Sequence, residues 1–212
     1  MPDRPALLFD LGGVLIDWDP RHLYRQVYGN AETEFFLKNV CTPQWNLALD
    51  GGRPFAEAIR EKQASWPEYR EAIGWWWSRW EEMLNGTVPG AVELLTELKD
   101  LGQPLYALTN WSAETFPMAR KHYPFLDWFQ EIVVSGREGL VKPDPAIFKV
   151  AAERCGIPIA GTVFIDDSTA NVNAAKALGF DAIRFTGAEA LRRELVARGY
   201  LPRRMEPVPA WS

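Results

Sequence analysis

Three carboxylates, a threonine, an asparagine and a lysine stand where short apolar runs of this chain end. Ala6-Leu7-Leu8-Phe9 is a continuous apolar run that stops on Asp10 and is followed by Gly12 and Gly13. Such a run suits a strand buried on both faces of a parallel sheet. An acid at the carboxyl end of that strand, before a glycine turn, is where open α/β sheets hold ligands. Taken alone the segment reads equally as a turn-forming Asp, but three later runs also end on polar residues. Leu105 to Leu108 leads into Thr109 and Asn110, Ile132 to Val134 ends at Ser135 with Lys142 beyond it, and Val163 to Ile165 meets Asp166-Asp167-Ser168. A carboxylate such as Asp10 can attack phosphorus and form an acyl-phosphate. Adjacent Asp166 and Asp167 repel unless a cation or a proton lies between them, and Mg2+ suits oxygen ligands. Thr109 and Asn110 offer a hydroxyl and amide donors, and Lys142 a compact positive charge. These are the parts phosphoryl transfer needs: a nucleophile, charge neutralisation and rigid positioning.

The motifs Phe9-Asp10-Leu11-Gly12-Gly13-Val14-Leu15, Leu108-Thr109-Asn110, Lys142-Pro143-Asp144-Pro145 and Phe164-Ile165-Asp166-Asp167-Ser168 follow one another along nearly the whole chain. With them the sequence resembles the haloacid dehalogenase-like (HAD) hydrolase superfamily, in its subgroup with a small helical cap. The resemblance implies Asp10 as nucleophile and Mg2+ held by Asp10, Asp167 and the Gly12 carbonyl, with Asp166 acting through water. It implies phosphate held by the N–H groups of Leu11 and Gly12 and by Thr109, Asn110 and Lys142. Gly12 departs from the usual pattern, which has a second aspartate there to protonate the leaving group and then activate water. In this respect the chain is similar to sugar-phosphate phosphatases of the superfamily that carry Asp-x-Gly. General acid–base help is worth about 10²–10⁴ in rate, so its loss suits a leaving group already stable as an anion. Asp17 and His22, shortly after the turn, are the substitutes considered for it.

The elements that position these residues follow from the pattern around them. Strands alternate with helices from Ala91 onward, which predicts an α/β, doubly wound parallel sheet. Asp144-Pro145 is a helix start and Ser168 a cap for the next helix. A helix from about Ser112 is expected to be interrupted by Pro117. Residues 20–86 differ: apolar residues spaced by three and four predict helices, broken at Asp50-Gly51-Gly52 and at Pro67. The stretch Asp50 to Phe55 is similar to the Gly-x-x-x-Phe turn of such caps. The expected organisation is therefore a core over 1–19 and 87–201, an inserted cap over 20–86, and a loosely held tail over 202–212. Hinges are expected at Trp18-Asp19-Pro20 and Asn85-Gly86-Thr87, where Asn-Gly signals a turn. Of the tryptophans in the cap, Trp76 and Trp80 are expected in its core, and others are available to the cleft.

A chain of 212 residues with a net charge of -5 is long enough to bury a core and has no basic footprint for nucleic acid. No apolar stretch reaches membrane-spanning length and Met1-Pro2-Asp3-Arg4 is not a signal peptide, so no membrane partner and a cytoplasmic location are expected. Cys41 and Cys155 lack metal-like spacing and read as free buried thiols. The leading expectation is a magnesium-dependent phosphatase of a small organic phosphate. The alternatives are a metal-free 2-haloacid dehalogenase, whose halide needs no proton, and a non-catalytic binding protein. Against the first, family dehalogenases usually carry serines where this chain has Asp166 and Asp167. Against the second, a site without catalysis has no need of Asp10, Thr109, Lys142 and Asp167 together.

Overall fold

The computed structural model describes residues 5–203. The N-terminal tetrapeptide and most of the expected tail, 204–212, lie outside them. The chain opens with β1 (Leu7–Phe9) and β2 (Ile16–Trp18), then the helices α1 (Arg21–Asn39), α2 (Pro43–Asp50), α3 (Phe55–Ser65) and α4 (Arg70–Ser78), and returns as β3 (Leu84–Thr87). The alternating part follows: α5 (Ala91–Asp100), β4 (Leu105–Thr109), α6 (Phe116–His122), β5 (Glu131–Val134), α7 (Ser135–Glu138), α8 (Pro145–Cys155), β6 (Val163–Asp166), α9 (Thr169–Leu178), β7 (Asp181–Arg184) and α10 (Ala188–Ala197).

The main sheet has the order β5-β4-β1-β6-β7 and every pairing in it is parallel. Period-two alternation divides its apolar residues between two layers. Leu7 and Phe9 point to one side with Leu94, Leu95 and Leu98 of α5 and Leu191 and Leu195 of α10. Leu8, Leu108 and Phe164 point to the other, against Ile147, Phe148 and Ala151 of α8 and Val172 and Ala175 of α9. The helices end as their sequences suggest. Asp144 Oδ1 accepts the Ala146 N–H at 2.8 Å before Pro145, Ser168 caps α9, and Gly156 and Gly179 close α8 and α9 in the left-handed conformation.

β2 and β3 form a separate antiparallel pair that frames α1 to α4. Here one expectation is corrected. Asn85-Gly86 reads as a turn, yet both residues lie within β3. Ile16 faces Thr87 and Trp18 faces Leu84, so β3 carries one residue more than β2, and Gly86 with φ 88° accommodates the bulge. A second correction concerns Pro117. It lies in the first turn of α6, where its missing N–H costs nothing, so that helix starts at Phe116 and is not interrupted. The apolar layer of the sheet continues through Leu11, Leu15 and Ile16 into Leu23, Tyr24, Phe36 and Trp76. Trp76 stacks on Tyr24 and meets Trp45 edge-on, and with Trp80 it is buried as expected, while Trp77 is exposed. Both cysteines are free and buried.

Candidate active site

β1 is central, and its two neighbours are β4 and β6. Phe9 is level with Ala107 of one and Ile165 of the other. The next residues along the three strands are therefore Asp10, Leu108-Thr109 and Asp166-Asp167, gathered at the carboxyl edge where the sheet changes direction. Ligand oxygens of Asp10, Asp166 and Asp167 lie within 4.8 Å of one another. Lys142 enters from the loop before α8. Its Nζ is fully buried and donates to Leu108 O at 2.9 Å and Asp166 Oδ2 at 2.7 Å, and pairs with Asp10 Oδ2 at 2.9 Å.

Burial raises the Asp10 carboxyl to about 8, opposed by Lys142 and reinforced by Asp166 and Asp167. Asp167 is also raised, by partial desolvation and then by Asp166. Burial works against the Lys142 ammonium, yet the charges of Asp10 and Asp166 outweigh it and raise its pKa. One ammonium thus faces three carboxyl groups. Lys142 stays charged, and Asp10 and Asp167 resist ionisation for want of further positive charge.

The turn after β1 is built on the glycines. Ile16 donates its N–H to the Leu11 carbonyl at 2.9 Å and accepts the Gly13 N–H at 2.9 Å. That bridge uses neither the N–H nor the carbonyl of Gly12, so both remain available to a ligand. Gly13 has φ 72°, and a Cβ there would stand 2.6 Å from Asp167 Oδ2. At Gly12 a Cβ would meet nothing within 4 Å. Gly13 is thus the glycine the backbone requires, and Gly12 is not held by steric need.

The remaining expected residues divide. The Thr109 hydroxyl is buried without a partner, as a donor awaiting an anion would be. The Asn110 side chain differs from expectation. Its Nδ2 donates to the Lys142 carbonyl at 2.9 Å and its Oδ1 accepts the Lys142 N–H at 2.8 Å, so its amide already holds the lysine loop. The Leu11 N–H donates to Asp10 Oδ1 at 2.7 Å and orients that carboxyl. Asp166 is fully buried: its oxygens accept from Lys142, from the Ser168 N–H at 2.8 Å and from Asn171 Nδ2 at 3.0 Å. Asn171 went unnoticed in the sequence because an Asn in a helix's first turn reads as ordinary capping.

Asp17 and His22 do not join the cluster's hydrogen bonds. They bond each other at 3.0 Å, and Asn85 Nδ2 donates to the second Asp17 oxygen at 2.9 Å. Partial burial pushes Asp17 up, but the bonds from His22 and Asn85 pull it below its ordinary value, which makes it a poor proton donor. Above the turn lies a small cavity of about 50 Å³, lined by Gly12, Asn110, Asn46, Asp50, Trp80 and Trp111 among others. Trp18 also lines it, and the indole N–H groups of Trp18 and Trp111 have no partner. A wider groove of about 640 Å³ adjoins it, sharing Trp18, Asn46 and Asp50.

Residues 5–179 match the family model of haloacid dehalogenase-like hydrolases. The chain belongs to that family. A sesquiterpene phosphatase of Aspergillus oryzae is 29% identical over 196 residues, covering 90% of this chain and 94% of the relative. A phosphorylated carbohydrates phosphatase of Thermotoga maritima is 27% identical over 186 residues, covering 84% of this chain and 83% of the relative. Among solved structures, a HAD family enzyme of Bacteroides thetaiotaomicron in complex with magnesium and inorganic phosphate superposes with a TM-score of 0.64 at 25% identity, covering 86% of this chain and 94% of that one. This hydrolase has the family's α/β core, and no helix among its described residues is long and apolar enough to cross a membrane.

Proposed function

We propose that this hydrolase is a magnesium-dependent phosphatase that cleaves a small organic phosphate monoester through an aspartyl-phosphate on Asp10. The carrying observation is the convergence of Asp10, Asp166 and Asp167 around one buried ammonium, a cluster short of positive charge. The donor set fits Mg2+: carboxylate oxygens of Asp10 and Asp167 and the unengaged Gly12 carbonyl are hard oxygen ligands. When bound, the ion would neutralise charge on the transferring phosphoryl group.

The chain's own groups do the rest. The Leu11 N–H and Lys142 aim and neutralise the Asp10 carboxylate for attack on phosphorus. The Thr109 hydroxyl, buried without a partner, and the Gly12 N–H would take phosphoryl oxygens. Lys142 contributes as a fixed charge, since its three protons already serve Leu108, Asp10 and Asp166. Asp166, held by Lys142, Ser168 and Asn171, keeps the lysine and Asp167 in place. Residues 20–86 act as a cap over this core, moving on the β2–β3 pair. A cavity of about 50 Å³ admits only a few waters, so a substrate requires the cap to open and then close. The unpartnered indoles of Trp18 and Trp111 would meet the leaving group. A 2-haloacid is disfavoured because its own carboxylate would face this excess of negative charge.

Hydrolysis of p-nitrophenyl phosphate should stop in chelator and return with magnesium, and Asp10→Asn should reduce turnover to background while the fold persists. Equal activity in chelator, or a variant that keeps most of its activity, would refute the reading.

A further inference from the structure

We propose that Asp50, the last residue of α2, supplies from the cap the general acid and base that Gly12 cannot provide. The inference rests on the phosphatase reading above. Asp50 lines the small cavity together with Gly12, and of the residues lining it Asp50 alone can exchange a proton near neutral pH. Asp50 and Gly12 thus border the same small space.

That carboxyl is held in position. Asn46 Nδ2 donates to Asp50 Oδ2 at 2.9 Å, and Asn46 Oδ1 accepts from the indole of buried Trp76 at 3.2 Å. The Asp50 carbonyl accepts the Ser135 hydroxyl at 2.5 Å, and Ser135 Oγ accepts the Trp111 N–H at 2.9 Å, which ties this point of the cap to the ends of β4 and β5. Burial raises the Asp50 carboxyl to about 7, partly offset by the Ser112 N–H and the charge of Lys142. Its place at the carboxyl end of α2 acts in the same direction as burial. Other charged groups of the neighbouring segments are turned elsewhere. Glu138 of α7 pairs with Arg154, Arg137 lies over Phe116, Glu114 accepts the Phe55 N–H, and Arg53 pairs with Glu61. A carboxyl poised near neutrality can both give and take a proton.

In the first step an Asp10 oxygen bonds phosphorus, the P–O bond to the leaving group breaks, and the Asp50 proton passes to that oxygen to give the alcohol. In the second, a water oxygen bonds phosphorus, its proton passes to the Asp50 carboxylate, and the bond to Asp10 breaks to release inorganic phosphate. Both carboxyl groups return to their starting states. Because Asp50 belongs to the cap, the proton is delivered only when the cap is closed, which couples bond cleavage to closure.

The test is a series of phosphate monoesters of graded leaving-group pKa, with magnesium, on the natural protein and on Asp50→Asn, which preserves the shape and the contact with Asn46. The natural protein should show a shallow dependence of kcat/KM on leaving-group pKa. Asp50→Asn should lose about 10²-fold or more on alkyl phosphates, with a steep dependence and with aspartyl-phosphate accumulating in acid-quenched samples. An active natural protein with a steep dependence would overturn the assignment, even if the variant fails to fold. So would a variant whose rate on alkyl phosphates stays within about threefold of the natural one. A natural protein that hydrolyses no ester at all would instead remove the phosphatase reading, and this inference with it.

Discussion

Gly12→Ala and Gly13→Ala, one residue apart in the turn after β1, should have opposite consequences. Gly13 has φ 72°, a conformation that costs an L-residue about 1–2 kcal/mol. Its new Cβ would also lie 2.6 Å from Asp167 Oδ2 and 3.0 Å from Asp167 Cγ, well inside contact distance. Asp167 is exposed, so its side chain can swing away at little cost to folding. In doing so it leaves the carboxylate cluster. Gly12 lies outside the left-handed region and its Cβ would meet nothing within 4 Å. There, restricting the unfolded chain should make alanine neutral or stabilising by about 0.4–1 kcal/mol. The two variants should therefore differ by roughly 1–3 kcal/mol, or about 2–12 °C in Tm for a chain of this size. Thermal melts with and without magnesium measure both effects. Gly12→Ala should keep the stabilisation by magnesium, whereas Gly13→Ala should need at least about tenfold more of the ion for the same shift. Coincident melts with equal magnesium dependence would refute the account of the turn.

Two further outcomes follow from the buried charges. Burial raises Asp10 to about 8 from 3.8, so between these values the folded protein holds a proton that the unfolded chain has released. Metal-free stability should fall as pH rises through that window and level off above it, and the stabilisation by magnesium should grow over the same range. Urea titrations at several pH values, in chelator and in magnesium, measure this, and a magnesium effect that is flat from pH 5 to 8 would contradict it. Lys142→Met leaves the buried Asp166 without its ammonium and Asp10 without the charge that favours its ionised form, and should cost about 3–5 kcal/mol in chelator, read from the urea midpoint. A loss below about 1 kcal/mol would show that Asn171 and the Ser168 N–H suffice for Asp166.

What the sequence determined by itself was local. An apolar run ending on Asp10, the pair Asp166-Asp167, and the Asp144-Pro145 and Ser168 helix starts are all set by residues within a few positions of one another, and strand, helix and cap preferences act over that range. The alternation of strands and helices likewise predicted the parallel sheet, and the apolar runs predicted the polar residues at its carboxyl edge. Tertiary structure decided which polar groups were left over. Asn110 is engaged by the Lys142 backbone across 32 positions, and Asp17 is claimed by His22 and by Asn85 from β3. Asn85-Gly86 became a bulge because β2 lay alongside to pair with it. Asp50 was legible only as the start of a glycine turn, since its sequence neighbours say nothing about Gly12. A hydrogen bond or a desolvation penalty depends on what stands within a few ångströms, and in this chain those neighbours come from separate strands and from loops distant in sequence.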